Sequence, residues 1–327
     1  MILFDAVESN DIPKVTLLLQ NGADPNIQNN DNELSIGVTP LHNSAKCGFF
    51  EITKLLLENG ADPNIQTNEG ITPLHWSAAN NHIDITKILI KYEANVNSIT
   101  NYCNTPLHNS VIYEFTDMTK LLLDNGADPN IENINGEVPL HFSIQGGNNE
   151  ITKLLLDYGA NTYLKHTNMK YSPLYYSIKN GSIEITKMIL EKTKNNIKNN
   201  QTLSQILLLS FRPYSKVQED YLFDALKIFL KYNMEINYGD NDGNTLLHLS
   251  IIYKKTEIAR YLLENGADPY IKNNDGKTAF ETDCPKYVTE RLNDYYKELC
   301  MTRKEALKKI FPKYLDKNLI DYTLSFI

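Results

Sequence analysis

The chain has 327 residues and a formal net charge of −8, an acidic balance that repels phosphate backbones and argues against a nucleic-acid partner. With 42% hydrophobic and 22% charged residues it reads as a folded protein, and no run approaches the ~18–20 apolar residues of a membrane span. Cys47, Cys103, Cys284 and Cys300 are too scattered for a disulfide framework or a zinc site and are expected as reduced, mostly buried thiols.

The chain opens inside a repeated unit, with Met1–Phe4 standing where later copies carry a Thr-Pro-Leu-His tetrapeptide. That tetrapeptide follows as Thr39–His42, Thr72–His75 and Thr105–His108, then as Val138-Pro-Leu-His141 and Ser172-Pro-Leu-Tyr175. Thr245-Leu-Leu-His248 and a worn Thr278-Ala-Phe-Glu281 complete the series, most steps being 33 residues. Apolar blocks beginning at Ile52, Ile85, Met118, Ile151, Ile185 and Ile258 keep the same period, and Gly-Ala-Asp-Pro-Asn closes the units at Gly22–Asn26, Gly60–Asn64 and Gly126–Asn130. Two signals in one register predict stacked helix pairs.

One unit can be built residue by residue. Thr72 is an N-cap and Pro73 a first helical residue whose missing N–H costs nothing. Ser77 and Ala78 are small enough for neighbouring helices to approach. Ile52, Leu55 and Leu56 make an apolar stripe on an outer helix, Gly60 stops that helix in the left-handed conformation, and Asp62-Pro63-Asn64 turns the chain into a finger. Five extra residues lengthen the finger around Asn29–Ile36. The 73-residue step from Ser172 to Thr245 hides a degenerate unit, with an inner helix at Thr202–Phe211, an inserted loop at Arg212–Asp220 and an outer helix at Tyr221–Asn233. Lys192–Asn200 is an Asn/Lys-rich connector.

The tetrapeptide and its period resemble the ankyrin repeat over residues 1–297. The resemblance implies an all-α solenoid of about nine helix-turn-helix repeats with short β-hairpin fingers. It also implies a non-catalytic scaffold that binds a folded protein through finger tips and inner-helix surface. The expected organisation is ankyrin repeats at 1–191, a connector and degenerate repeat at 192–240, repeats at 241–297 and a helical tail at 298–327.

No catalytic motif is present, and neither cofactor nor metal is expected. His42, His75, His108, His141 and His248 sit one per repeat, and in the ankyrin family this His bridges loops. Candidate binding positions, by register, are Asn68, Glu69 and Ile71; Tyr102 and Asn104; Ile134, Asn135 and Glu137; Asn241, Asp242 and Asn244. Trp76 reads either as inter-repeat packing or as an aromatic anchor on the inner face.

After Glu298 the repeat signal stops. The tail reads either as a terminal capping helix pair or, by resemblance, as part of a PRANC segment. The phrasing of the repeats is similar to ankyrin proteins of poxviruses, the avian ones in particular. Those end in this F-box-like segment, which docks onto a cullin–RING ubiquitin ligase through Skp and cullin subunits. Phe311-Pro312 with Leu315 and Leu319 would be the docking residues, although the 17 residues from Phe311 to Ile327 are fewer than three helices need. This reading makes the chain a viral protein that captures a host factor in the host cytoplasm. A plain scaffold or inhibitor without a ligase link, or an ankyrin effector of an intracellular bacterium, are the alternatives.

Overall fold

The computed structural model describes residues 2–29, 36–162, 172–193, 201–211, 219–282 and 286–310. These residues form helix pairs joined by fingers, with isolated β-bridges at Asn29–Val38, Gly239–Thr245 and Lys272–Thr278 and no sheet. The chain divides into two compact units, Met1–Tyr176 and Ser177–Ile327.

In the first unit the inner helices are α1 (Ile2–Glu8), α3 (Pro40–Cys47), α5 (Pro73–Ala79), α7 (Pro106–Ile112) and α9 (Pro139–Gln145). Their outer partners are α2 (Ile12–Gln20), α4 (Phe50–Glu58), α6 (Ile83–Lys91), α8 (Thr116–Asp124) and α10 (Asn149–Asp157). Each inner helix packs on its own outer helix, and α1, α3, α5 and α7 each pack on the inner helix of the next pair. Leu41, Leu74, Leu107 and Leu140 from the inner row and Ile52, Ile85, Met118 and Ile151 from the outer row are buried. Helices this short are marginal alone, so burial of this apolar seam stabilises them.

Two polar ties repeat, one inside that seam and one at the exposed base of the fingers. Thr53 donates to Ser44 (3.0 Å), Thr119 to Ser110 (3.0 Å) and Thr152 to Ser143 (3.0 Å), while Ser77 and Thr86 share a 2.8 Å bond. All eight residues are buried, and the pairing satisfies hydroxyls that would otherwise be costly in an apolar layer. At the base of the fingers the last residue of the Gly-Ala-Asp-Pro-Asn turn clasps the following repeat. Asn26 Nδ2 donates to Gly60 O (3.0 Å) and its Oδ1 accepts from Asp62 N (2.8 Å). Asn64 grips Glu93 O and Asn95 N, and Asn97 grips Gly126 O and Asp128 N, in the same way.

In the second unit α12 (Ile183–Thr193) packs on α14 (Glu219–Lys231), and α13 (Gln201–Ser210) packs on α14 and α15 (Leu246–Ile252); α11 (Pro173–Lys179) spans the division between units. The pair α13/α14 is the worn one. Glu219 and Asp220 belong to the first turn of α14 rather than to a loop, which suits carboxylates at a helix N-terminus. α16 (Thr256–Glu264) pairs with α15, and the last inner element is a 3-10 turn at Ala279–Glu281. α17 (Lys286–Ile310) packs against α16 and this turn and is 25 residues long, so the outer helix of the last pair runs on without a break where the repeat signal stops.

The cysteines depart from expectation. Cys47, at the end of α3, is exposed, and Cys103 and Cys300 are half-buried. Cys103 occupies a left-handed finger tip (φ 58°), a turn position that cannot be core; Cys284 lies outside the described residues.

Candidate protein-binding face

The face made by fingers and inner helices is set by the repeated histidine. Thr39 N donates to His42 Nδ1 (3.1 Å), so Nδ1 is an acceptor and the ring proton sits on Nε2, which donates to Ile71 O (3.0 Å). His75 links Thr72 N to Asn104 O, His108 links Thr105 N to Glu137 O, and His248 links Thr245 N to Lys277 O in the same manner. Each ring therefore ties its own helix start to the finger of the next repeat. Both nitrogens are used, which removes them from metal chemistry. Burial lowers the pKa of His42, His75 and His108 to about 4, outweighing the backbone acceptors, with the neighbouring histidine a further lowering cause. His248 is lowered by the same burial. All four rings are neutral at pH 7.

Finger tips stack backbone to backbone. Asn68 N donates to Ile36 O, Asn101 N to Glu69 O, and Ile134 N to Tyr102 O (3.1, 2.8 and 2.9 Å). Within each finger one backbone bond, from Thr67 N to Ile71 O, Thr100 N to Asn104 O and Asn133 N to Glu137 O, is paired with a side-chain one: Thr67 Oγ1 accepts from Ile71 N, Thr100 Oγ1 from Asn104 N and Asn133 Oδ1 from Glu137 N. Gly70, at φ 76°, permits this stacking, since a Cβ there would lie 2.9 Å from Thr100 Cα and Asn101 N.

Between the fingers and the inner helices lies a groove of about 250 Å3 lined by Glu69, Ile71, His75, Trp76, Ala79, Thr100, Tyr102, Asn104, Asn109 and Tyr113. Trp76 is half-buried: it meets His42 edge-on at 5.3 Å, and Lys46 Nζ lies 5.3 Å from its ring centroid. It combines inter-repeat packing with a place in the groove. Tyr102 is 64% exposed and Tyr113 56%.

Of the positions singled out from sequence, Glu69, Ile71, Trp76, Tyr102 and Asn104 come together in this groove. Asn68 is exposed at the finger tip beside it, and Ile134 (65% exposed) and Asn135 stand on the next finger. Ile71, Asn104 and Glu137 have a second role, because their carbonyls receive the histidine bonds. In the second unit Asn241 borders a cleft of about 190 Å3 with Gln205, Leu208 and Tyr238. Asp242 is exposed there, and Asn244 is held by Asp240 and Asn273. The tail candidates Phe311, Pro312, Leu315 and Leu319 lie outside the described residues. Sequence reasoning missed Ala79, Asn109 and Tyr113. Asn109 occupies the position of Trp76, one residue after the histidine, so applying that register to every repeat finds it. Tyr113 is marked by an aromatic where other copies carry Asn80 or Gly146.

Family models of ankyrin repeats match the sequence along most of the chain: a three-copy model at residues 3–100, 49–133 and 107–201, and a many-copy model at 230–282. The chain belongs to the ankyrin-repeat family. Its ankyrin repeats are 39% identical over 57 residues to ankyrin repeat protein 14 of vaccinia virus and to an ankyrin repeat domain-containing protein of monkeypox virus. Each match covers 17% of this chain, and 24% and 9% of those two proteins. They are also 37% identical over 68 residues to alpha-latroinsectotoxin-Lt1a of the spider Latrodectus tredecimguttatus, covering 21% of this chain and 5% of the toxin. The chain thus matches only a small part of the length of each relative. The family supplies a protein-binding scaffold, and among the described residues no helix is long and apolar enough to cross a membrane.

Proposed function

We propose that this chain is a host-interaction protein of a poxvirus that captures a folded host protein on the finger and inner-helix face of residues 59–148, without chemistry. The observation carrying the reading is the groove bordered by exposed Tyr102 and Tyr113, with Trp76 in its wall. Exposed aromatics around a concavity are what protein interfaces use as anchors, and the histidine bridges hold this one rigid before a partner arrives, which limits the ordering cost of binding. The poxvirus relatives support the viral part of the reading, which puts the chain at work in the host cytoplasm.

Affinity purification of the full chain from host cells, with partner identification, tests this. The Tyr102→Ala/Tyr113→Ala double variant is expected to lower recovery of a specific partner at least tenfold, while Lys87→Ala/Lys91→Ala on outer helix α6 leaves it unchanged. Equal recovery by both variants sinks the reading. The ligase arm rests on Phe311, Pro312, Leu315 and Leu319: deletion of Lys309–Ile327 is expected to remove Skp and cullin subunits from the purified material and leave the captured protein. If wild type recovers the target without ligase subunits, the chain is a plain scaffold or inhibitor.

A further inference from the structure

Charge is distributed unevenly along this chain. Residues 1–176 carry 20 acidic and 9 basic side chains, net −11, whereas residues 177–327 carry 20 and 23, net +3. Within the first unit the segregation is finer. The finger and inner-helix segments 59–82, 92–115 and 125–148 hold seven carboxylates and no lysine or arginine. The lysines of those repeats, Lys87, Lys91 and Lys120, lie on outer helices α6 and α8. The residues that line the groove all belong to these segments, and Lys46 of the preceding inner helix reaches its Trp76 wall. Glu69 is its charged lining residue, and Glu69 has no ion-pair partner among the described residues. The histidine in its wall is a neutral strut.

Three of the other lining side chains, Trp76, Tyr102 and Tyr113, are aromatic, and a ring's quadrupole attracts a cation within about 6 Å of the ring centre. Trp76 already holds one: Lys46, the one lysine on the inner helices α1 to α9, sits over its ring. Building on the binding reading above, we infer that the groove between Trp76, Tyr102 and Glu69 is a socket for a lysine or arginine side chain presented by a basic segment of the partner protein. The carboxylate supplies charge and a hydrogen-bond acceptor, the rings supply cation–π faces and apolar contact for the aliphatic stem, and the surrounding negative field speeds encounter with a basic partner.

The chain has one tryptophan, and it stands in the groove, so its fluorescence reports occupancy directly. The full chain is titrated with an acetylated, amidated Gly-Ser-Arg-Gly-Ser-Arg-Gly-Ser peptide, with its Lys counterpart and with the same peptide carrying citrulline, a neutral shape mimic of arginine. The expected result is a saturable change in Trp76 emission with the two basic peptides, at least tenfold weaker with citrulline and weakened again by added salt. Glu69→Gln and Tyr102→Ala are each expected to weaken basic-peptide binding at least fivefold. Both side chains are exposed at a finger tip, and unchanged circular dichroism and melting confirm that the variants fold. No emission change, or equal binding of the citrulline peptide, overturns the inference. A captured partner that docks through a neutral or acidic segment overturns it while leaving the binding face intact. A partner retained by Tyr102→Ala/Tyr113→Ala removes the face itself.

Discussion

The four repeats from Thr39 to Gly159 and the worn repeats of the second unit use one helix-pair plan with different joints. In the regular repeats the bond from the first backbone N–H of the tetrapeptide to its His, the Ser–Thr tie and the Asn clasp recur in register. In α13/α14 the tetrapeptide has become Gln201-Thr-Leu-Ser204. Proline and imidazole are gone, and Ser204 Oγ bonds Glu235 O at 2.6 Å. In the last repeat Glu281 takes the histidine's place and accepts from Thr278 N and Oγ1 (both 2.9 Å). A carboxylate does the local half of the job, and above it no further finger is described for a second nitrogen to reach. The clasp ends similarly. Tyr270 stands where other repeats have Asn, is 71% exposed and meets Tyr296 of α17 edge-on at 6.3 Å. The comparison teaches that the tetrapeptide is a connector to the next repeat more than a helix signal, while burial of Leu203, Leu226 and Phe229 still packs the worn pair.

Acid should separate the two kinds of joint most sharply. His42, His75 and His108 have pKa values near 4 folded against 6.5 unfolded, so the unfolded chain binds more protons between those limits. Their contribution is complete above pH 6.5 and is lost as pH falls towards 4. At pH 5 the loss is about 2 kcal/mol per histidine, roughly 6 kcal/mol for three. Urea unfolding followed through Trp76, which reports the first unit, is expected to show a much lower midpoint at pH 5 than at pH 7. An unchanged midpoint would break the bridge model.

Finger stacking is tested by two glycines with the same backbone. A Cβ added at Gly70 (φ 76°) would lie 2.9 Å from the backbone of Thr100 and Asn101, whereas one added at Gly276 (φ 73°), on the last described finger, would meet nothing within 4 Å. Both alanine variants suffer left-handed strain of about 1–2 kcal/mol, but Gly70→Ala must also push a neighbouring backbone away, adding about 1–3 kcal/mol. Equal melting temperatures for the two variants would deny the close stacking. The smallest effect is a gain. Glu93 holds φ 65° at a helix end where other repeats place glycine, so Glu93→Gly is expected to stabilise the first unit by about 0.5–1 kcal/mol in thermal denaturation.

Much of this was legible in the sequence, because each repeat solves the same local problem. Thr72, Pro73, Ala78 and Gly60 have roles set by capping, backbone dihedrals and size within a few residues, and a period of 33 places them without knowledge of the rest. Asn26, Asn64 and Asn97 recur as visibly, yet their clasp joins residues 29 to 36 apart, and nothing local says which carbonyl an exposed amide will find. Asn109 shares the register of Trp76 and could have been read from it, but that Tyr113 joins the groove could not, because a groove is a relation between one repeat's finger and another's helix.

The sequence by itself determined the unit, its repetition and its caps, since these rest on short-range sterics and on a hydrophobic stripe that any helix pair must bury. The tertiary structure alone decided which nitrogen of His75 carries the proton, that Lys46 lies over Trp76, and that Glu69 and two exposed tyrosines share a groove. Those facts depend on how far one repeat is shifted and turned against the next, a quantity fixed by packing across the seam and written in no single stretch of residues.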